Sequence, residues 1–236
     1  MSLENNNPYL NGQVLLIDKP LGWSSFQVVN KLRWLIRKHY NIKKIKVGHA
    51  GTLDPLATGL LIICTGKETK NINTYQAQEK EYTGTITLGG TTPSYDLETE
   101  IDQTFLTDHL TEKLLHKTTE QFTGEIQQKP PIFSAIKKDG KRLYELARAG
   151  ETTEIQARTV TVHDFELTRI ALPQVDFRIS CSKGTYIRSI AHDYGQALKN
   201  GGHLSALRRT GIGNFRVENA LSIEEFEEML KALPLA

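Results

Sequence analysis

The sequence predicts an α+β fold with a largely antiparallel, mixed sheet flanked by helices and loops. Helix and strand patterns mix along the chain without the regular β–α alternation that a parallel sheet requires. Several strand patterns alternate apolar and polar residues, which is typical of antiparallel sheets with one solvated face. The 236 residues contain no repeat or low-complexity linker. They are therefore sufficient for one domain with a sizeable core, with or without a small extra lobe.

In the first part of the chain, strands are predicted over Gln13–Ile17, Leu60–Cys64 and Tyr82–Leu88. Between the first two, Ser24 or Ser25 is predicted to cap a helix, because the apolar residues that follow fall at helical spacing. A glycine-rich loop precedes the second strand. The N-terminal region therefore predicts a strand, a helix, a loop and a second strand around a shared core.

The rest of the chain begins with a polar segment, Thr91–Gln103, which we expect to be mobile. Two prolines precede a predicted hairpin around Asp139-Gly140, and a short helix should end at Gly150. Ser222 and Glu225 form a capping box for a final acidic helix. Between these points the pattern predicts a helix around Leu110–Leu115, strands around Val160–Val162 and Val175–Cys181, and a helix over Ile187–Tyr194.

Composition bounds the class of protein. Hydrophobic residues at 39% and charged residues at 24% are ordinary for a globular protein. No run of about 18 apolar residues is present, and Met1–Gly12 lacks the layout of a signal peptide. Cys64 and Cys181 lie in apolar runs, which favours buried free thiols over a disulfide or a metal site. We therefore expect a cytoplasmic protein.

Charge is distributed unevenly, although 29 basic and 27 acidic residues leave a net charge of only +2. Lys19–Leu53 carries eight Lys or Arg and no acidic residue, and Phe177–Arg216 carries seven with the single acid Asp193. Acidic residues gather over Ser94–Glu125 and Glu218–Glu228. A charge run is usually just a solvated face. The separation of two basic from two acidic segments nevertheless favours a one-sided field suited to a polyanion.

The densest group of candidate functional residues lies in GHAGTLDPLATGLL, Gly48–Leu61. Asp54 stands there in a glycine-rich loop directly before a strand. Asp-Pro beside glycine is also ordinary turn chemistry, and composition alone favours that interpretation. The loop also carries His49 and two threonines, which a surface turn does not need, and glycines allow a backbone to approach a ligand closely.

This loop resembles the catalytic motif of TruB-type pseudouridine synthases. Five further blocks are similar to the same family and follow its order along the chain: IDKPLGWSS (Ile17–Ser25), KEYTGTITLG (Lys80–Gly89), PPIFSAIKKDGKRLYELAR (Pro130–Arg148), CSKGTYIRSIAHDYG (Cys181–Gly195) and HLSALRRTGIGNF (His203–Phe215). The resemblance implies the pseudouridine-synthase catalytic fold over residues 13–216, after a flexible N-terminus, residues 1–12. Bacterial members commonly carry a further RNA-binding domain; here we expect residues 217–236 to form only a short acidic helix.

Three residues gain a catalytic context from the resemblance. It implies that Asp54 is the essential aspartate and that Arg188 pairs with its carboxylate. Tyr82 would lie against the target base, where the family's tyrosine has been proposed as a proton acceptor. An arginine suits the pairing role because its planar fork can bind both carboxylate oxygens.

Further residues are placed around this centre by the same resemblance. Tyr186 would pack within the pocket, although its position beside an apolar helix face equally fits a core residue. Leu207 would line the apolar wall, and His49 would stack in the RNA loop in the space left by the flipped nucleotide. Lys19 and Pro20 are interpreted as structural support of the site.

The implied reaction isomerises a uridine, expected at position 55 in the T-loop of elongator tRNAs, to pseudouridine. The base flips out of the stack, its glycosidic bond is cleaved with help from the carboxylate, and it is rejoined through C5. The carboxylate could attack the sugar, attack the base or assist elimination. Two alternatives stay open: an RNA-folding chaperone role, and activity on another RNA such as ribosomal RNA.

No cofactor is expected. The seven histidines show no ligand spacing, and no cysteine pair accompanies them. No Walker-type or dinucleotide-binding loop is present in the sequence. The expected partner is the T-arm stem-loop of tRNA, with no membrane and no obligatory protein partner, and the protein is expected to be a monomer.

Overall fold

The computed structural model describes residues 7–134, 137–138, 140–143, 145, 149 and 155–233. The helices among them are α1 (Pro8–Asn11), α2 (Ser25–His39), α3 (Ile72–Ala77), α4 (Glu112–Thr119), α5 (Ile187–Ala197) and α6 (Ile223–Ala232). The strands are β1 (Val14–Lys19), β2 (Val47–His49), β3 (Ala57–Thr65), β4 (Lys80–Leu88), β5 (Gly90–Thr91), β6 (Gln103–Thr104), β7 (Gly124–Gln128), β8 (Lys137–Lys138), β9 (Lys141–Arg142), β10 (Arg158–Ala171), β11 (Gln174–Cys181), β12 (Gly202–Ile212) and β13 (Phe215–Arg216).

Two units divide the chain. Unit 1 comprises Met1–Tyr82 with Arg208–Ala236, and unit 2 comprises Thr83–Leu207. The boundaries fall inside β4 and β12.

Unit 1 is built around β3, whose residues are almost all buried. β1 pairs with it antiparallel, with Val14 opposite Cys64 and Lys19 opposite Gly59. β2 pairs with it antiparallel as well, which brings His49 opposite Ile63. Both predicted strands of this region are confirmed, and each is slightly longer than its apolar core.

Two helices of unit 1, α2 and α6, begin where the sequence predicts. The Ser24 hydroxyl accepts from the Gln27 backbone N–H at 3.2 Å, and the Gln27 side chain accepts from the Ser24 N–H at 2.7 Å. The capping box of Ser222 and Glu225 is likewise present at the start of α6. Apolar side chains of α2 and α6 pack in one cluster with residues of β1 and β3, and burial of this cluster holds the sheet and helices together.

In unit 2 the strands follow the order β12, β4, β11, β10, β7. β10 pairs antiparallel with both β11 and β7. The inner face of α5 buries Tyr194, whose ring packs on Phe165, and Phe165 in turn contacts Phe177. The α+β prediction with a mostly antiparallel sheet is confirmed.

Two small hairpins complete unit 2, β5 with β6 and β8 with β9. The pairing of β8 with β9 confirms the predicted hairpin, and Gly140 between them has φ +84°. Asp139 and the predicted helix end at Gly150 lie outside the described residues.

The expectation that Thr91–Gln103 is mobile is wrong for its first part. Thr92 and Ser94 donate their hydroxyls to the Asp96 carbonyl at 2.7 and 3.1 Å, and the Ser94 N–H donates to the Thr99 hydroxyl. All of these except Thr99 are buried. Side-chain hydroxyls satisfy the backbone here, so a polar composition produces an ordered loop.

Candidate active site

Asp54 lies half-buried in the loop between β2 and β3 of unit 1. Its carbonyl accepts from the Ala57 N–H at 3.1 Å, which closes a turn. The preceding residue, Leu53, is held on both sides by the buried Ser25 hydroxyl, which accepts from its N–H at 2.8 Å and donates to its carbonyl at 3.0 Å. The backbone that carries the carboxylate is therefore fixed on either side of it.

Lys19 supports the same loop from the end of β1. Its side chain is fully buried, and the ammonium donates to the carbonyls of Pro20, Trp23 and Pro55 at 2.9, 2.6 and 3.5 Å. Burial lowers the pKa of Lys19 to about 8, and the nearby Asp54 carboxylate opposes that shift. These contacts fit the supporting role that the sequence interpretation gave it.

Arg209 is a second buried cation at this loop, and sequence reasoning missed it. Its side chain is 1% exposed. The guanidinium donates to the carbonyls of Leu60, Gly51 and Thr52 at 2.8, 3.1 and 3.4 Å. The available signal was the Arg208-Arg209 pair in a strand pattern, where alternation must direct one of two neighbours inward.

Gly59 lets the strand of Arg209 approach this closely. It has φ +103°, and a Cβ there would lie 2.3 Å from the Arg209 carbonyl oxygen. A real side chain cannot occupy that space, and the conformation itself disfavours other residues. The glycine is therefore required by a backbone-to-backbone contact at the base of the loop.

His49 and Tyr82 are the other predicted site residues of unit 1. His49 lies half-buried on β2, and its Nδ1 has no hydrogen-bond partner among the described residues. Burial and then the Arg209 charge lower the pKa of His49, against a hydrogen bond to the Gly51 backbone that raises it. The lowered pKa favours the neutral form of the imidazole, whose ring offers a face for base stacking. Tyr82 is 9% exposed on β4.

Arg188 lies in the first turn of α5 in unit 2 and is 4% exposed. Its two terminal nitrogens donate to the carbonyls of Ser94 and Phe133 at 3.1 and 2.9 Å. Its Nε lies 3.6 Å from an oxygen of the buried Asp96 carboxylate. Sequence reasoning missed Asp96 because it stands in the polar segment that we expected to be mobile.

Tyr186 and Leu207 are both half-buried in unit 2. The Gln128 side chain brackets the Tyr186 backbone, accepting from its N–H at 2.8 Å and donating to its carbonyl at 3.0 Å. The Arg158 guanidinium lies 4.8 Å from the centre of the Tyr186 ring. Tyr186 is thus a positioned, partly accessible aromatic residue.

The predicted residues divide between the units. Unit 1 contains Asp54, His49 and Tyr82, whereas unit 2 contains Tyr186, Arg188 and Leu207. The pairing of Asp54 with Arg188 stays a prediction. Chemically, unit 1 offers a carboxylate on a loop whose backbone is held by Ser25, Lys19 and Arg209. Unit 2 offers a buried guanidinium that donates to two backbone carbonyls and lies beside the Asp96 carboxylate.

Neither a metal site nor a membrane segment is found in the described part of the chain. No group of three or more His, Cys, Asp and Glu residues there could hold a metal ion. None of its helices combines the length and apolar character that a membrane crossing requires. Cys64 and Cys181 are both buried, as the sequence predicts, and neither forms a disulfide.

Two family models match the chain. The model of the TruB family pseudouridylate synthase N-terminal domain matches residues 37–187. The model of the tRNA pseudouridylate synthase B C-terminal domain matches residues 188–233.

Curated proteins of similar length also match. A tRNA pseudouridine synthase B of Flavobacterium johnsoniae is 67% identical over 94% of this chain and 98% of its own length. One of Phocaeicola vulgatus is 54% identical over 94% of each protein.

Among solved structures, the chain is similar to a Cbf5-Nop10-Gar1 complex, with a TM-score of 0.70 and 30% identity. It is also similar to an H/ACA RNP bound to a substrate RNA containing 2′-deoxyuridine, with a TM-score of 0.67 and 28% identity. The matches cover 97% of this chain in both cases, but only 56% and 55% of those longer chains.

Proposed function

Because the chain belongs to the TruB family of pseudouridylate synthases, we propose that it isomerises a uridine of tRNA to pseudouridine, with Asp54 as the catalytic carboxylate. The curated relatives are tRNA pseudouridine synthases B, and this chain matches them over almost their whole length. The observation that carries the assignment of Asp54 is the construction of its loop, which Ser25, Lys19 and Arg209 hold in place.

The chemistry requires an ionised carboxylate beside a flipped uridine. The C1′–N1 glycosidic bond breaks, the detached uracil turns, and a C1′–C5 bond forms. C5 loses its proton and N1 gains one, so the reaction involves neither net oxidation nor an external group donor. The Lys19 ammonium is close enough to Asp54 for the carboxylate to raise its pKa against burial. The same attraction favours the ionised form of Asp54.

The resemblance also gives the other predicted residues roles in the reaction. We propose that Arg188 orients the carboxylate through its planar fork and that Tyr82 lies against the target base. Tyr186 and Leu207 enclose that base, and His49 fills the space that it leaves in the RNA loop. A few kcal/mol are needed to unstack a base, and aromatic contacts recover about 1–3 kcal/mol per base.

The substrate that we propose is the T-arm stem-loop, with the target at position 55. Sequence-specific RNA recognition usually acts on unpaired loops whose bases can be splayed out. The basic segments Lys19–Leu53 and Phe177–Arg216 supply the charge that phosphate contacts require. We propose a monomer without an obligatory protein partner, with tRNA folding as an added activity.

We also propose a cytoplasmic location. Both cysteines are buried thiols outside any disulfide, which is typical of proteins in reducing compartments.

The decisive experiment is Asp54→Asn. Its turnover of a tRNA transcript should vanish, whereas tRNA binding should stay near that of the wild type, because phosphate and stacking contacts dominate affinity. Asp108→Asn is the matched control, since Asp108 is exposed and belongs to the acidic segment Ser94–Glu125 of the sequence. Pseudouridine formation by Asp54→Asn at a rate near that of the control would refute the assignment.

A further inference from the structure

Three large apolar side chains are exposed around the loop that carries Asp54. Leu21 is 64% exposed, Phe26 65% and Leu56 38%. The Gly22 N–H donates to the Pro55 carbonyl at 2.8 Å, which brings the backbone beside Leu21 next to the backbone beside Leu56. Phe26 directly follows Ser25, whose hydroxyl binds Leu53. We call these three residues the apolar rim.

The apolar rim contributes little hydrophobic burial to unit 1, because its side chains are largely exposed. The first turn of a helix favours acidic or small polar residues, yet α2 places a phenylalanine there with most of its surface in water. Apolar residues scattered singly over a surface need no explanation. The three residues of the rim differ, because they lie on chain segments that are hydrogen-bonded to one loop. They therefore form a localised contact surface.

The electrostatic surroundings indicate what covers the rim. Lys19–Leu53, which contains Leu21 and Phe26, has eight basic residues and no acidic one. A basic field favours a polyanion, and an aromatic face within such a field is the combination that single-stranded nucleic acid binds, by phosphate attraction and base stacking.

We propose that the apolar rim receives unpaired bases next to the target uridine, with Phe26 stacking on one of them. This inference rests on the proposed function, because it takes the occupant to be the substrate RNA. The target base must reach Asp54, only two residues before Leu56, so neighbouring nucleotides of the loop must pass over the surface around it. Leu21 and Leu56 then contact the edges of the stacked base or its sugar.

Phe26→Ala tests the inference with a T-arm hairpin as the probe. Binding should weaken about tenfold, the loss expected for one stacked base. The single-turnover rate at saturating hairpin should stay unchanged, since Phe26 does not touch the reacting atoms. The slope of log Kd against log salt should also stay unchanged, because stacking neutralises no phosphate. The exposure of Phe26 predicts normal folding, which thermal unfolding can verify.

Conservative variants separate stacking from simple apolar contact. Phe26→Tyr should restore wild-type affinity, whereas Phe26→Leu should remain weak. Leu106→Ala is the control, since Leu106 is 81% exposed and stands between Asp102 and Asp108 in the acidic segment Ser94–Glu125 of the sequence. It should bind the hairpin as the wild type does.

Three results would overturn the inference: unchanged affinity of Phe26→Ala, full restoration by Phe26→Leu, or a lower single-turnover rate at unchanged Kd. In each of these the wild type still forms pseudouridine, so the proposed function stands. An inactive wild type, in contrast, would refute the proposed function itself.

Discussion

Arg188 is fixed by acceptors from two segments of its own unit, the Ser94–Asp96 turn and the Phe133 carbonyl. Arg188→Lys keeps the charge but can satisfy these acceptors only at one point. We expect turnover to fall about 100-fold, the loss that a misplacement of about 1 Å can cause, with tRNA affinity largely kept. Single-turnover kinetics measure this, and a Lys variant near wild-type turnover would contradict it.

Lys19 gives a prediction about pH. Its pKa in the folded state is about 8, against an ordinary value of 10.5, so between these values the unfolded chain binds more protons. Stability must then rise with pH across that window. The difference in the free energy of unfolding, wild type minus Lys19→Met, should therefore increase from pH 8 to about pH 10. Urea unfolding of both proteins across this range measures it. A pH-independent difference would mean that burial does not perturb this ammonium.

At the residue scale, the sequence indicated Asp54 through a block of motif residues but did not reveal the contacts that Arg209 and Ser25 make with its loop. The bonds from Arg209 to Leu60 and from Ser25 to Leu53 span 149 and 28 positions. Periodicity and turn chemistry describe neighbours within a few residues, so contacts that arise from folding leave no local signal.

Among the elements, α2 begins with two adjacent serines that have different roles. Ser24 caps the helix, whereas Ser25 holds Leu53 in the Asp54 loop. Ser24→Ala should lower the free energy of unfolding by about 1 kcal/mol without changing the single-turnover rate. Ser25→Ala should lower that rate, because it releases the loop. Equal rates in both variants would show that the loop does not depend on this anchor.

Elements with a clear period were the predictable ones. β1, β3, β10 and β11 follow apolar patterns, and α5 buries the face that its spacing predicts. The Thr92–Thr99 loop was not predictable, because its order comes from hydroxyl groups that bind nearby backbone atoms. Composition alone cannot distinguish such a loop from a solvated one.

For the molecule as a whole, the separation of basic from acidic segments predicts strongly salt-dependent binding. The specificity constant, kcat/KM, of an isolated T-arm hairpin should approach that of whole tRNA, because recognition is centred on an unpaired loop. Measurements at matched ionic strength test both expectations. A hairpin worse by orders of magnitude would place essential contacts outside the T-arm.

Gly59 has a consequence for how this sequence can change over generations. It carries no functional group, yet any side chain at this position would collide with the backbone of Arg209, whose guanidinium holds the loop of Asp54. Substitution of this glycine should therefore be tolerated as poorly as substitution of a reacting carboxylate. The reason is steric, since the residue takes no part in the chemistry. If relatives keep glycine at this position, the reason is that the backbone of the neighbouring strand occupies the space where a side chain would lie.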